Sequence, residues 1–235
     1  MTKHAVVSED EWLAARKTLL AKEKELDRAR DALSKARREL PWVRVEKRYA
    51  FDGPEGRVTL DQAFAGRSQL IVYHFMFAPG WEEGCKSCSF WADNFERNVV
   101  HIAHRDATLV AVSRAPIDKL TAYAKRLGWT FTWLSSAPSD FSFDFHASFD
   151  PSRGGEQSYN YAPKTGAMSD LPGISVFYRD EAGEVFHTYS TYARGLDMLN
   201  AGYHYLDLLP KGRDEEATGN MGWLRRRDQY PDASR

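Results

Sequence analysis

The sequence predicts an α/β fold built around parallel strands, and three observations carry that expectation. Two nearly unbroken apolar runs, LIVYHFMF at 70–77 and TLVAVS at 108–113, have the pattern of strands covered on both faces of a sheet. The stretches after each read as helices, so strand, helix, strand, helix and strand alternate, which implies parallel pairing through right-handed crossovers. Near the end, GISVFYRDEAGEVFHTYSTY forms a hairpin turning at 180–183.

Each element follows in order. Residues 8–40 form one long helix: Ser8 and Glu11 make a capping box, acidic residues fill the first turn, and Pro41 stops the run. Trp12, Leu19, Leu26, Leu33 and Leu40 recur every seven residues, with Ala15, Ala29 and Ala36 three places after three of them. This thin apolar seam suits either a dimerisation arm or packing against the chain's own body. From Trp42 the pattern turns extended: VRVEKRYAF, the turn DGPEG and RVTL make a hairpin leading into LDQAFAG. The strand at 70–77, the loop APGWEEG and a helical stretch from 85 to about 105 come next, then the strand at 108–113. A helix at 116–127 has proline in its first turn, and another strand spans 130–134. Phe141, Phe143, Phe145 and Phe149 alternate with polar residues as the buried face of an edge strand would, and a Gly/Ser-rich loop, RGGEQSYNY, follows. An amphipathic helix at 196–209 closes the fold. The chain thus divides into a helical arm (1–41), a main domain (42–212) and a C-terminal tail (213–235).

Composition excludes several classes of function. With 32 basic and 33 acidic residues the formal net charge is -1, so no global field draws the chain to nucleic acid or an anionic membrane. The start, MTKHAVVSEDEW, lacks the apolar run of an export signal, and no run of 18 apolar residues exists. A cytoplasmic location is expected. In that reducing compartment a close cysteine pair is more often catalytic or metal-binding than a staple.

Both cysteines lie in WEEGCKSCSFW, where a buried strand ends, a loop intervenes and Cys85 opens a helix. Free amides and the helix dipole favour a thiolate there, so the Cys85 pKa is expected below the free value of about 8.5. Cys88, one turn on, is placed to resolve a mixed disulfide. Glu82 and Glu83 precede the pair, and a carboxylate there either raises the thiol pKa or accepts the Cys88 proton; Glu82 is the candidate acceptor. The spacing Cys85-x2-Cys88-x12-His101-x2-His104 approaches a zinc-finger pattern, but the histidines would fall roughly 20 Å along a continuous helix.

VYHFMFAPGWEEGCKSCSFWADNF, WLSSAPSDFSFDF and GWLRRRDQY closely resemble the bacterial family catalogued as domain of unknown function 899, from the N-terminal helix to Tyr230. The order of elements resembles a thioredoxin-like fold with a peroxiredoxin-like N-terminal β-hairpin and an added helical arm. The resemblance implies a dithiol-disulfide oxidoreductase with Cys85 attacking and Cys88 resolving. No bound cofactor is implied. Thioredoxins keep a buried carboxylate on the strand before the active-site loop; Val72-Tyr73-His74-Phe75 has none, which makes His74 the candidate for proton transfer to Cys88. The cis-proline facing the pair in thioredoxins falls near Pro172, with Ser175 closer to its usual place. Trp81, Trp91 and Ser175 are the candidate substrate contacts, and Phe141, Phe143, Phe145, Tyr159 and Tyr161 could add to an aromatic roof. At the proline and threonine of peroxiredoxins stand Ala78 and Glu82, with Pro79 displaced by one, which favours thiol exchange over peroxidase chemistry.

The expected partner is a disulfide or thiol, small or protein-borne, with no nucleic acid or membrane, and a homodimer through the N-terminal helix. Two other readings compete. One is a copper-binding protein using Cys85, Cys88 and a distant His187; the other is a noncatalytic scaffold assembled by the long helix.

Overall fold

The computed structural model describes residues 4–231, so the extreme ends of the arm and tail lie outside the described residues. By internal contacts the chain forms two units, Met1–Pro41 and Trp42–Arg235. The stretch 213–235 belongs to the second.

The first unit is helix α1, Glu9–Arg38. At its start the Ser8 hydroxyl accepts from the Glu11 amide at 3.3 Å, while the Glu11 carboxylate accepts from the Ser8 amide at 3.0 Å. Lys35, Arg37 and Arg38 complement the dipole in the last turn. None of its residues is buried.

The second unit begins with β1 (Val43–Arg44), the hairpin β2 (Ala50–Gly53) and β3 (Gly56–Thr59), and the short α2 (Leu60–Ala63). Then come β4 (Gln69–His74), α3 (Lys86–Phe95), α4 (Val99–Ala103), β5 (Ala107–Ser113), α5 (Ile117–Leu127) and β6 (Trp133–Ser135). The chain continues through α6 (Phe141–Asp144), the small hairpin β7 (Ser158–Tyr159) and β8 (Ala162–Pro163), then β9 (Gly173–Arg179), β10 (Val185–Tyr192) and α7 (Ala201–Asp207). Eight strands make one sheet in the order β1-β10-β9-β4-β5-β6-β2-β3. β4 pairs in parallel with β5 and β5 with β6, whereas β9 runs antiparallel to β4 and β10 antiparallel to β9.

Three expectations are corrected. The helical stretch from 85 to 105 is broken, because the Asn94 and Asn98 side-chain amides donate to the carbonyls of Phe90 (2.7 Å) and Asn94 (2.8 Å) and compete with the ladder. The phenylalanine row is not an edge strand: Phe141 opens α6 and Phe145 caps it, and their spacing of four puts both rings in the same buried cluster. The closing helix is interrupted, since residues 193–199 form a tight 3-10 turn and the Asn200 side chain caps α7 by accepting from the Tyr203 amide at 3.1 Å.

The sheet separates two cores. One holds Tyr73, Phe75, Cys88, Trp91, Tyr123, Trp129 and Trp133, with Ile71 packed against it. The other holds Phe51, Phe64, Leu70, Val72, Phe141, Phe145 and Phe177. Along β4 the side chains alternate, so Ile71 and Tyr73 serve the first core while Leu70 and Val72 serve the second. No helix among the described residues is long and apolar enough to cross a membrane.

Candidate active site at the cysteine pair

β4 delivers the chain to the site at the C-terminal end of the parallel strands. Phe75 still donates its amide to Val112 O at 2.9 Å, and the chain then leaves the sheet. The Met76 peptide brackets both cysteines: its carbonyl accepts from the Cys85 amide at 3.0 Å, and its amide donates to Cys88 Sγ at 3.4 Å. The loop between is pinned. Lys119 Nζ donates to Trp81 O at 3.0 Å and Pro79 O at 3.3 Å, and Arg226 Nη2 donates to Gly84 O at 2.7 Å. Tyr123 links these parts, its hydroxyl bonded to Ser89 Oγ (2.9 Å) and receiving Arg226 Nε at 2.6 Å.

Cys85 is the N-cap of α3 and half-buried, while Cys88 is buried one turn later; both are free thiols, and the pair approaches to 4.0 Å. The Cys85 pKa falls to about 6. The Cys88 thiol supplies the largest part by donating a hydrogen bond; burial opposes it, and the amides of Cys88 and Ser87 and the Ser87 hydroxyl add further donors. These amides are free because they fall in the first turn of the helix, ahead of any intrahelical acceptor. Cys88 moves the other way: burial, then the hydrogen bond and charge at Cys85, push its thiol well above the ordinary value. The Tyr73 hydroxyl and the Met76 amide, both hydrogen-bonded to Cys88, work against that rise. The environment thus splits two identical thiols into an anion at the opening and a neutral thiol beneath.

The remaining sequence candidates divide. Trp81 is half-buried and packs on the core that contains the cysteines. Trp91 sits in that core too, its indole N–H donating to Leu196 O at 2.8 Å, which is a packing role. Glu82 does not reach the pair: its side chain is 92% exposed, with Lys119 Nζ at 4.0 Å. The neighbouring Glu83 is held by Arg126 and Arg226, the latter at 2.7 Å, so its charge is answered away from the sulfurs. Tyr159 donates its hydroxyl to Pro172 O at 2.8 Å and accepts from the Ala193 amide at 3.0 Å. Phe141 and Phe145 belong to the opposite core and do not roof the cysteines. All peptide bonds among the described residues are trans, Pro172 included.

His74, Ser175 and His187 are corrected together. Strand alternation turns His74 to the face opposite Tyr73, where its ring stacks on Phe141 at 5.6 Å. A row of hydrogen bonds runs from His74 Nε2 to Ser175 Oγ (2.9 Å), to Ser190 Oγ (2.9 Å), to His187 Nε2 (2.8 Å). His74 and Ser175 therefore lie on the face of the sheet away from Cys88, not beside it as expected. With His187 committed to that row, the copper ligand set does not assemble, and among the described residues no group of three or more His, Cys, Asp or Glu is arranged to hold a metal ion.

Tyr73, Ser87 and Arg226 escaped the sequence reading. Tyr73 was within reach of it: a polar hydroxyl inside an apolar strand, on the parity that faces the helix. Arg226 was not, because it lies more than a hundred residues from the loop that it clamps.

The parallel β4–α3–β5 crossover, the antiparallel β9–β10 pair and the N-terminal hairpin at the far edge define a thioredoxin-like α/β fold with an added N-terminal hairpin, a cysteine pair opening its first crossover helix. The chain belongs to the bacterial family DUF899, described as proteins of unknown function, whose model matches residues 1–230. A search of curated proteins finds no match. Among solved structures, peroxidoxin BcpB from Mycobacterium tuberculosis aligns with 14% identity and a TM-score of 0.46, covering 69% of this chain and 94% of that one. A mutant of peroxiredoxin Q from Xanthomonas campestris gives 15% identity and 0.44, covering 66% and 90%. A PrxQ mutant from Xylella fastidiosa gives 11% and 0.44, covering 71% and 95%.

Proposed function

We propose that this protein is a dithiol-disulfide oxidoreductase. The observation that carries the reading is the split between the two thiols: Cys85 half-buried with a pKa of about 6, Cys88 fully buried beneath it and neutral. The Cys85 thiolate attacks one sulfur of a substrate disulfide, forming a mixed disulfide and expelling the first substrate thiolate. Cys88 then attacks Cys85, releases the second fragment and closes the Cys85–Cys88 bond. Two electrons pass from the pair to the substrate, and another dithiol must return them for turnover. No bound cofactor enters this chemistry, and a reducing compartment such as the cytoplasm suits it. The heptad seam of α1 is the proposed homodimer contact.

Alkylation by iodoacetamide measures the thiolate directly. The rate at Cys85 should rise with a midpoint near pH 6, far below the ordinary thiol value of about 8.5. Cys88→Ser should hold a mixed disulfide long enough for mass spectrometry. A midpoint near 8.5, or no retained adduct, sinks the proposal.

A further inference from the structure

The proposed exchange leaves one proton unassigned. Cys88 must lose it to attack, and its sulfur lies in a core where an anion is costly. Three groups face that sulfur: the Cys85 thiol at 4.0 Å, the Met76 amide, which donates to it at 3.4 Å, and the Tyr73 hydroxyl, whose ring shares the buried cluster of Cys88. Once Cys85 is tied up in the mixed disulfide it can no longer draw the proton. A peptide amide only donates. Tyr73, 1% exposed and under aromatic cover from Phe75 and Phe95, remains a neutral phenol, because burial and the neighbouring sulfurs hold its pKa far above the ordinary value. It cannot serve as a base either.

We propose that Tyr73 is a catalytic hydrogen-bond donor for the resolving step, its hydroxyl holding the nascent Cys88 thiolate while the proton leaves with the departing substrate sulfur. This rests on the oxidoreductase reading. Written out, the Cys88 S–H bond and the Cys85–substrate S–S bond break, the Cys85–Cys88 S–S bond forms, and the released fragment departs as a thiol. Atoms and electrons balance without any further base. The two donors on Cys88 have separate origins: Met76 presents its amide where the chain leaves the sheet, and Tyr73 presents its hydroxyl from the last inward-facing position of β4. A phenol there does by donation what a buried carboxylate could do by accepting a proton, and it imposes a different demand, namely a leaving thiol able to carry the proton away.

The test is a single-turnover reaction of the pre-reduced full chain with the alkyl disulfide hydroxyethyl disulfide, whose thiol is basic enough to carry a proton, quenched with acid and read by mass spectrometry. Attack by Cys85 adds a hydroxyethylthio group and attack by Cys88 removes it, so the two steps appear as separate phases. In Tyr73→Phe the first phase should be retained and the second should slow about tenfold or more, the scale of a lost hydrogen bond to a charged group. The pH midpoint of the second phase should also rise. An unchanged second phase overturns the role of Tyr73 while leaving the oxidoreductase reading intact; a wild-type protein that stops at the mixed disulfide sinks that reading itself. Tyr73→Met repeats the measurement if the phenylalanine variant loses its first phase. The wild type gives a check that needs no substitution: closing the Cys85–Cys88 bond must alter the Tyr73 hydrogen bond and shift the tyrosine ultraviolet spectrum, and no shift would count against the proposal.

Discussion

At Gly84 the backbone passes so close to two core rings that a single added methyl has no room. A Cβ there would stand 2.8 Å from Phe75 Cε1 and 3.1 Å from Tyr123 Cε1, and both rings are themselves buried. Gly84→Ala should therefore lower stability by about 1–3 kcal/mol, the usual cost of overpacking, read as a reduced denaturant midpoint. The same methyl would lift the Gly84 carbonyl from Arg226 and disturb the amide of Cys85, so the alkylation midpoint of Cys85 should rise as well. At this scale the sequence was informative about the cysteines, because a helix start is written locally in the loop and turn residues. It was misleading about their partners. Tyr73 and His74 are adjacent and both polar, but a strand sends neighbours to opposite faces, and an acid-base preference for histidine outweighed that parity.

Among the elements, α1 and α3 teach opposite lessons. The boundaries of α1 could be read almost residue by residue, since its capping box, acidic first turn and proline stop are all local signals. Its seam leaves Leu19 51%, Leu26 52% and Leu33 52% exposed, a row of large apolar residues on a charged helix. If that row joins two copies of the chain, Leu26→Lys with Leu33→Lys should convert the dimer to a monomer in sedimentation equilibrium without altering the Cys85 alkylation profile. In α3 the start was legible and the end was not: the asparagines that stop it do so by bonding the helix's own carbonyls, a choice that depends on solvent and on what the next turn would meet. The α6 segment misled for a related reason, because Phe141, Phe143 and Phe145 satisfy a strand's period while Phe141 and Phe145 satisfy a helix's. Packing selected the helix, and Phe143 lies instead beneath the guanidinium groups of Arg114 (5.2 Å) and Arg153 (4.1 Å).

Across the whole molecule the sheet keeps redox-capable sulfur on one side and neutral imidazole on the other. Burial, then the nearby His187, depress the His74 pKa to about 3, whereas the unfolded chain titrates near 6.5. The native state therefore refuses a proton that the unfolded state accepts between those values, so stability falls as the solution is acidified through that window. Above 6.5 the loss vanishes, and below 3 it stops growing. Between pH 7 and pH 5 this histidine alone should remove about 2 kcal/mol, and His74→Gln should flatten that part of the profile in urea titrations at both pH values. His187, whose pKa burial also lowers, faces the same row of serines and contributes in the same direction.

What the sequence by itself determined is the succession of elements and the position of the cysteines, because caps, breakers and apolar periods act within a few residues of where they are written. Tertiary structure alone decided the company those cysteines keep. Tyr73 and the reverse-face row of His74 and His187 are set by which strand lies beside which and which face each residue occupies, and Arg226 by the contacts of the C-terminal segment with Gly84 and Tyr123. Strand order and parity bring together His74 and Ser175, 101 residues apart, and packing of the C-terminal segment brings Arg226 to Gly84 across 142, and no local pattern carries that information.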